Sequence, residues 1–122
     1  GHLPGHIDYG APREAIGYDL SGNGNRNCIA VTGACQMTPR KMFEELDGYD
    51  PKFSLNFNDV DYCLRLYEKG YRSVCLGDVE LYHYEGVSKE GGASVQASEI
   101  ELFLSTWRDR MPKDPYLPSN LV

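Results

Sequence analysis

Apolar and polar positions change period several times along this chain, and each change marks an element. The mostly apolar run Cys28-Ile-Ala-Val-Thr-Gly-Ala-Cys35, extended to Met37, has strand length, with Gly33 as a bulge or point of close approach. It predicts a buried strand over 28–37. Thr38 before Pro39 is an N-cap ahead of proline at the first helical position, Met42, Phe43 and Leu46 supply an inner face, and Gly48 supplies the stop. Turn and extended chain over 49–58 lead to the clearest helix, where Val60, Cys63, Leu64 and Tyr67 fall at i, i+3, i+4 and i+7. Asp61 reaches Arg65 one turn on, and Gly70 ends the helix. Residues 73–76 and 79–84 predict two strands joined at Gly77-Asp78, with His83 on the apolar face beside Val79 and Leu81. Ile100, Phe103, Leu104, Trp107 and Met111 predict a last helix over about 96–111.

The segments between are of another kind. Glycines and prolines crowd residues 1–27, which predicts a loop lead-in; 85–94 is a Gly-rich loop and 112–122 an extended tail. That leaves 28–111 as the folded part of one α/β domain, α+β in character, with a short mixed sheet and about three helices. The chain has 122 residues, a length that buries one core and leaves little room for a nucleotide domain beside a substrate domain.

Twelve Lys and Arg against 18 Asp and Glu give a net charge of −6, without the basic cluster that nucleic-acid binding needs. No apolar run reaches membrane-spanning length, and the first residues carry no signal-peptide pattern. The cysteines, Cys28, Cys35, Cys63 and Cys75, show neither a disulfide framework nor Cys-x-x-Cys spacing, which points to a reducing, cytoplasmic compartment.

Two places could carry chemistry. Asn58-Asp59-Val60-Asp61 puts carboxylates at a helix start, where an Asp can equally be a structural cap that satisfies free backbone N–H groups. Acids at i and i+2 do not share a helical face, so one functional carboxylate fits better than a two-acid metal clamp. This Asp-x-Asp opens an amphipathic helix instead of following a strand, unlike the metal motif of nucleotide-sugar enzymes. His83, at a strand end beside a Gly-containing loop, has the chemistry of a metal or phosphate ligand and also fits a core histidine. Ser88 and Lys89 meet an anion only if their loop closes over one. Tyr and Trp side chains could stack on sugars, with core packing the default. Nucleophilic hydrolysis has no support: no Gly-x-Ser-x-Gly elbow occurs, and the cysteines lie in apolar runs.

Taken in order, Ala30-Val-Thr-Gly-Ala-Cys35, Arg40-Lys-Met-Phe-Glu-Glu-Leu-Asp-Gly-Tyr-Asp50, Phe57-Asn-Asp-Val-Asp-Tyr-Cys-Leu-Arg65, Gly70-Tyr71 and Tyr82-His-Tyr-Glu-Gly-Val-Ser-Lys89 resemble the C-terminal half of bacterial family 2 glycosyltransferases. The similarity is to the branch of O-antigen and other cell-surface polysaccharide enzymes, some rhamnosyltransferase-like, and extends to Trp107 and Asp114-Pro-Tyr-Leu-Pro-Ser-Asn120. The resemblance implies a GT-A fold whose N-terminal half binds a nucleotide-diphospho-sugar while this half supplies the acceptor side. It implies Asp59 as the base of an inverting transfer to a saccharide or lipid-linked acceptor, with Thr32, Gly33, Ala34 and Asp61 beside the sugars. It also implies His83 at a divalent metal, Mn²⁺ or Mg²⁺, and Lys89 at the diphosphate. Asp61 more directly orients the helix start through Arg65, and Asn58 stands where many relatives have Glu.

No nucleotide-binding strands precede residue 1, so the expectation is an excised fragment, inactive alone and prone to self-association through exposed edge or apolar surface. The parent enzyme would work in the cytoplasm, at the inner face of the membrane through the parent or its acceptor. Two rival classes remain: a non-catalytic carbohydrate-binding or interaction module, and a glycosidase pairing Asp59 with Glu85.

Overall fold

The structure, a computed structural model, describes residues 24–79, 81, 82, 97–113, 115 and 116. In chain order these form strand β1 (Arg26–Cys28), a 3₁₀ turn (Gly33–Cys35), helix α1 (Arg40–Glu45), helix α2 (Asn58–Glu68), strand β2 (Ser73–Cys75) and helix α3 (Ala97–Trp107). It is a small mixed α/β unit: three helices and, among the described residues, one two-stranded antiparallel sheet in which Arg26 faces Cys75 and Cys28 faces Ser73.

α2 is the axis of the fold. Its burial is broader than one apolar stripe, because Asp61, Tyr62, Cys63, Leu64 and Leu66 are all buried. Leu64 joins Phe53, Phe103 and Trp107 in the core, with Phe57, Val60, Leu102 and Met111 packed against it. Phe57, just before α2, adopts a left-handed backbone conformation (φ 67°) that costs a non-glycine residue energy. Its ring stacks on Phe103 at 4.8 Å between centroids, an offsetting contact that ties the start of α2 to α3. At the other end, Tyr71 N–H donates to the Leu66 carbonyl and Gly70 N–H to Tyr67, a Schellman ending with Gly70 at φ 88°.

The one buried charge among the described residues sits inside this packing. Asp61 is 1% exposed. Its Oδ1 accepts from Trp107 Nε1 at 2.8 Å and its Oδ2 from Arg65 Nε at 2.9 Å. Arg65 spends its remaining fork on backbone, donating from Nη1 to Leu46 O and from Nη2 to Gly48 O, both at 2.7 Å. Those carbonyls flank Asp47, whose φ is 57°, in a second Schellman ending where Gly48 N–H donates to Phe43 O. Gly48 itself has φ 67°, and a Cβ there would lie 2.8 Å from the Phe43 ring, so this turn needs glycine for both conformation and space. Arg110 then binds Glu68 through two nitrogens and covers Trp107 at 4.3 Å, joining the ends of α2 and α3.

Three sequence expectations need correction. The 28–37 strand is mostly absent: β1 starts inside the expected lead-in and stops at Cys28, and the chain then turns through Gly33–Cys35 with Thr32 to Cys35 exposed. One cause is local and one distant: the Thr32 hydroxyl accepts from Ala34 N–H, and Gly33 N–H donates to Asp59 across 26 residues. Thr38 is not the cap of α1. Pro39 occupies that position without a side-chain bond, while the Thr38 hydroxyl shares a 2.7 Å hydrogen bond with Tyr62. Finally, β2 pairs with β1; Val79, Leu81 and Tyr82 lie outside strands, and Glu80, His83 and Tyr84 lie outside the described residues. Gly77 is held at the start of β1 instead, its N–H donating to Asn25 Oδ1, so close that a Cβ would meet Gly24 O at 2.5 Å. α3 falls within the expected 96–111 range, with turn from Arg108 to Arg110. No disulfide joins Cys28, Cys35, Cys63 and Cys75. Among the described residues no helix is long and apolar enough to cross a membrane.

Replacing Asp61 by Ala leaves the partly buried Arg65 guanidinium and the buried Trp107 indole N–H without their acceptor. The expected cost is about 3–5 kcal/mol in urea unfolding, against no more than about 1 kcal/mol for Asp59→Asn, one half-turn away and half-exposed.

Candidate functional site

The first turn of α2 carries three N–H groups that no preceding helical carbonyl can satisfy. Asn58 Oδ1 accepts from Asp59 N–H at 2.8 Å, and Asp59 Oδ1 accepts from Val60 N–H at 2.8 Å. The first regular helical bond is Asp61 N–H to Phe57 O. Asp59 thus serves as a cap, as the structural reading of the motif expects. Its second oxygen does something a cap does not require: Oδ2 accepts from Gly33 N–H at 2.7 Å, across 26 residues of sequence. Gly33 is glycine for this approach, because a Cβ would sit 3.1 Å from Asp59 Cβ and 3.3 Å from Oδ2.

The two acids of the motif are therefore divided. Both Asp61 oxygens accept hydrogen bonds in the core, from Trp107 and from Arg65, the partner through which the sequence has it orient the helix start. Asp59 remains half-exposed at the end of α2. Each of its oxygens accepts one backbone N–H and keeps a further lone pair, so the carboxylate is oriented from one side and can still accept a proton from the other. Thr32, Gly33 and Ala34 stand exposed beside it at the 3₁₀ turn, so Asp59 and the Thr32–Ala34 segment lie together. His83, Lys89 and Glu85 lie outside the described residues. Among the described residues no group of three or more His, Cys, Asp or Glu side chains could hold a metal ion. Asp59 and Asp61 do not converge on one point, as their i, i+2 spacing implies.

Two neighbours of this site are invisible to sequence reasoning. Gln36 Nε2 donates to Val31 O at 3.1 Å and to Cys63 Sγ at 3.4 Å, and Tyr49 Oη donates to Gln36 Oε1 at 2.6 Å. Tyr49 also packs edge-on against Phe43 and Tyr62, at 5.4 and 5.5 Å between ring centroids. Burial, and then the Asp59 charge, hold the Tyr49 phenol above its ordinary pKa of 10.0, in the neutral form that donates the bond. The only advance signal was an aromatic residue in an otherwise polar turn after Gly48. Burial likewise raises the Cys63 thiol above its ordinary 9.0, despite a hydrogen bond to Val31 O that opposes the shift.

Among curated proteins, the chain is similar to O-antigen biosynthesis protein RfbC of Myxococcus xanthus, 37% identical over 99 residues, which is 80% of this chain and 8% of that protein. It is also similar to the uncharacterized protein y4gI of Sinorhizobium fredii (strain NBRC 101917 / NGR234), 32% identical over 124 residues, 97% of this chain and 13% of that protein. The chain spans roughly a tenth of the length of these relatives. No family model matches it, and no solved structure matches it.

The raised Cys63 pKa carries a sign. Folding favours the protonated thiol, so its contribution to stability is complete below pH 9 and is lost as pH rises through the higher folded value. At pH 8.5 a thiol reagent is expected to label exposed Cys35 in the native chain, and Cys63 only after denaturation, as read by mass spectrometry of the two peptides.

Proposed function

We propose that this chain is the acceptor-side half of a GT-A, family 2 glycosyltransferase that acts in cell-surface polysaccharide synthesis. The observation that carries the reading is Asp59: a carboxylate oriented by Gly33 and Val60 N–H groups, exposed on its other side, beside the small-residue turn Thr32-Gly33-Ala34. The similarity to a protein named for O-antigen biosynthesis supports the same class of product. In an inverting transfer Asp59 takes the proton of the acceptor hydroxyl as that oxygen forms its bond to the anomeric carbon. The bond from that carbon to the diphosphate breaks, and the nucleoside diphosphate departs with the electron pair.

This chain's own residues orient the base, leave its open face to the acceptor and place the Thr32–Ala34 turn next to the sugar. A divalent ion, Mn²⁺ or Mg²⁺, would offset the charge of the leaving diphosphate, and His83 and Lys89 are the residues proposed beside it. Donor, acceptor and membrane-face location belong to the proposal for the whole protein. So does self-association of the isolated chain, for which the exposed strip of Val74, Leu76, Val79, Leu81 and Tyr82 is the proposed surface.

The test is nucleotide-sugar transfer by the polypeptide that contains residues 1–122. Asp59→Asn is expected to lower turnover about 10²- to 10⁴-fold with KM little changed. Unchanged transfer would sink the assignment and favour a carbohydrate-binding module in which Asp59 is only a cap, and hydrolysed sugar in place of a transferred one would favour a glycosidase. For the isolated chain, calorimetric titration with UDP, GDP or dTDP and Mn²⁺ is expected to give no heat of binding.

A further inference from the structure

Asp59 and Asp61, two residues apart, are also the two ends of a path that leaves α2 and returns to it. From Asp61 it passes through Arg65 to the carbonyls of Leu46 and Gly48, which fixes the turn that delivers Tyr49. Tyr49 Oη donates to Gln36 Oε1, and Gln36 Nε2 donates to Val31 O, two residues before Gly33. Gly33 N–H then donates to Asp59 Oδ2. The Arg65, Tyr49 and Gly33 bonds each join segments distant in sequence, and the segment 29–32 has no ladder of its own to hold it in place. Besides the Gln36 clasp, the Val31–Gly33 stretch is tied to the helix by the weak Cys63 thiol bond to Val31 O and by the Asp59 bond itself, while the Thr32 hydroxyl bonds only within the turn, to Ala34 N–H.

From this path we infer that Tyr49 and Gln36 are positioning residues for Asp59: they fix the Gly33 amide against its carboxylate and so set the direction of the oxygen lone pairs that face the acceptor. The catalytic consequence rests on the transferase reading; the positioning itself does not. Tyr49, 38% exposed, is suited to the task because its ring packs edge-on against both Phe43 and Tyr62 while its hydroxyl reaches Gln36. Gln36 is suited because a single amide accepts from Tyr49 and donates to backbone, which neither Glu nor Met at that position could do.

Amide NMR of the full 122-residue chain tests this. Tyr49→Phe removes one oxygen and Gln36→Met removes the clasp at near-constant volume. Both are expected to move the Gly33 amide resonance and to speed its hydrogen exchange about 3- to 10-fold, while the Trp107 indole N–H resonance stays in place. An unchanged Gly33 amide in Tyr49→Phe overturns the inference. So does a Gly33 change that appears only together with a shift of the Trp107 indole, because that reports loosening of the whole unit. In the transferring polypeptide, Tyr49→Phe is expected to lower kcat about 10-fold with KM unchanged. If the Gly33 signature changes as expected and Asp59→Asn leaves transfer intact, the functional reading fails and the positioning stands.

Discussion

A carboxylate at the centre of the core sets the terms for everything around it. Asp61 is shielded from water, and a buried charge is tolerated only when paired and hydrogen-bonded on all its demanding sides. Arg65, one helical turn away, supplies the opposite charge, and Trp107 supplies a neutral donor from α3. Because guanidinium is a rigid fork, the nitrogens not used on Asp61 point outward in fixed directions, where they meet Leu46 O and Gly48 O. One ion pair therefore locks α2 to α3 on one side and to the end of α1 on the other. Apolar packing alone would hold these helices with less directional precision, since hydrophobic burial has no preferred angle.

That precision is used at the exposed end of α2. The motif Asn-Asp-Val-Asp turns its second acid into the core and keeps its first at the surface, a consequence of the roughly 100° rotation per helical residue. The inner acid and the Phe57–Phe103 stack together define where α2 begins, in spite of the unfavourable backbone at Phe57. The outer acid inherits a fixed position from that start, and the Gly33 turn completes it. Catalytic bases gain from this kind of support, because a group held in its productive geometry before substrate arrives spends no energy on ordering itself later.

Local chemistry was legible in the sequence and distant chemistry was not. α2, the Asp61–Arg65 pair and the Gly70 ending follow from spacings of three, four and nine residues, all within one element. α3 follows from Phe103 and Trp107 at helical spacing, both fully buried. The 28–37 strand failed because apolar character in Ile29 to Val31 signals packing without saying in which backbone form, and the side chains that bend it, Thr32 and Asp59, act through hydrogen bonds to N–H groups. The partner of β2 was illegible for a related reason: Gly77-Asp78 has turn chemistry, but β2 pairs with β1, 49 residues upstream where Arg26 faces Cys75. The resemblance singled out both Asp59 and the Thr32–Ala34 segment, which the Gly33 N–H bond to Asp59 brings into contact, whereas the bonds of Gln36 and Tyr49 leave no periodic trace in the sequence.

The division of the motif into one buried and one accessible carboxylate is best measured directly, by carbon NMR of the chain labelled at aspartate carboxyls in the presence of a soluble paramagnetic agent. The account predicts strong relaxation of the Asp59 signal and none of the Asp61 signal beyond that of the core. Equal relaxation of the two, or the reverse order, would contradict it.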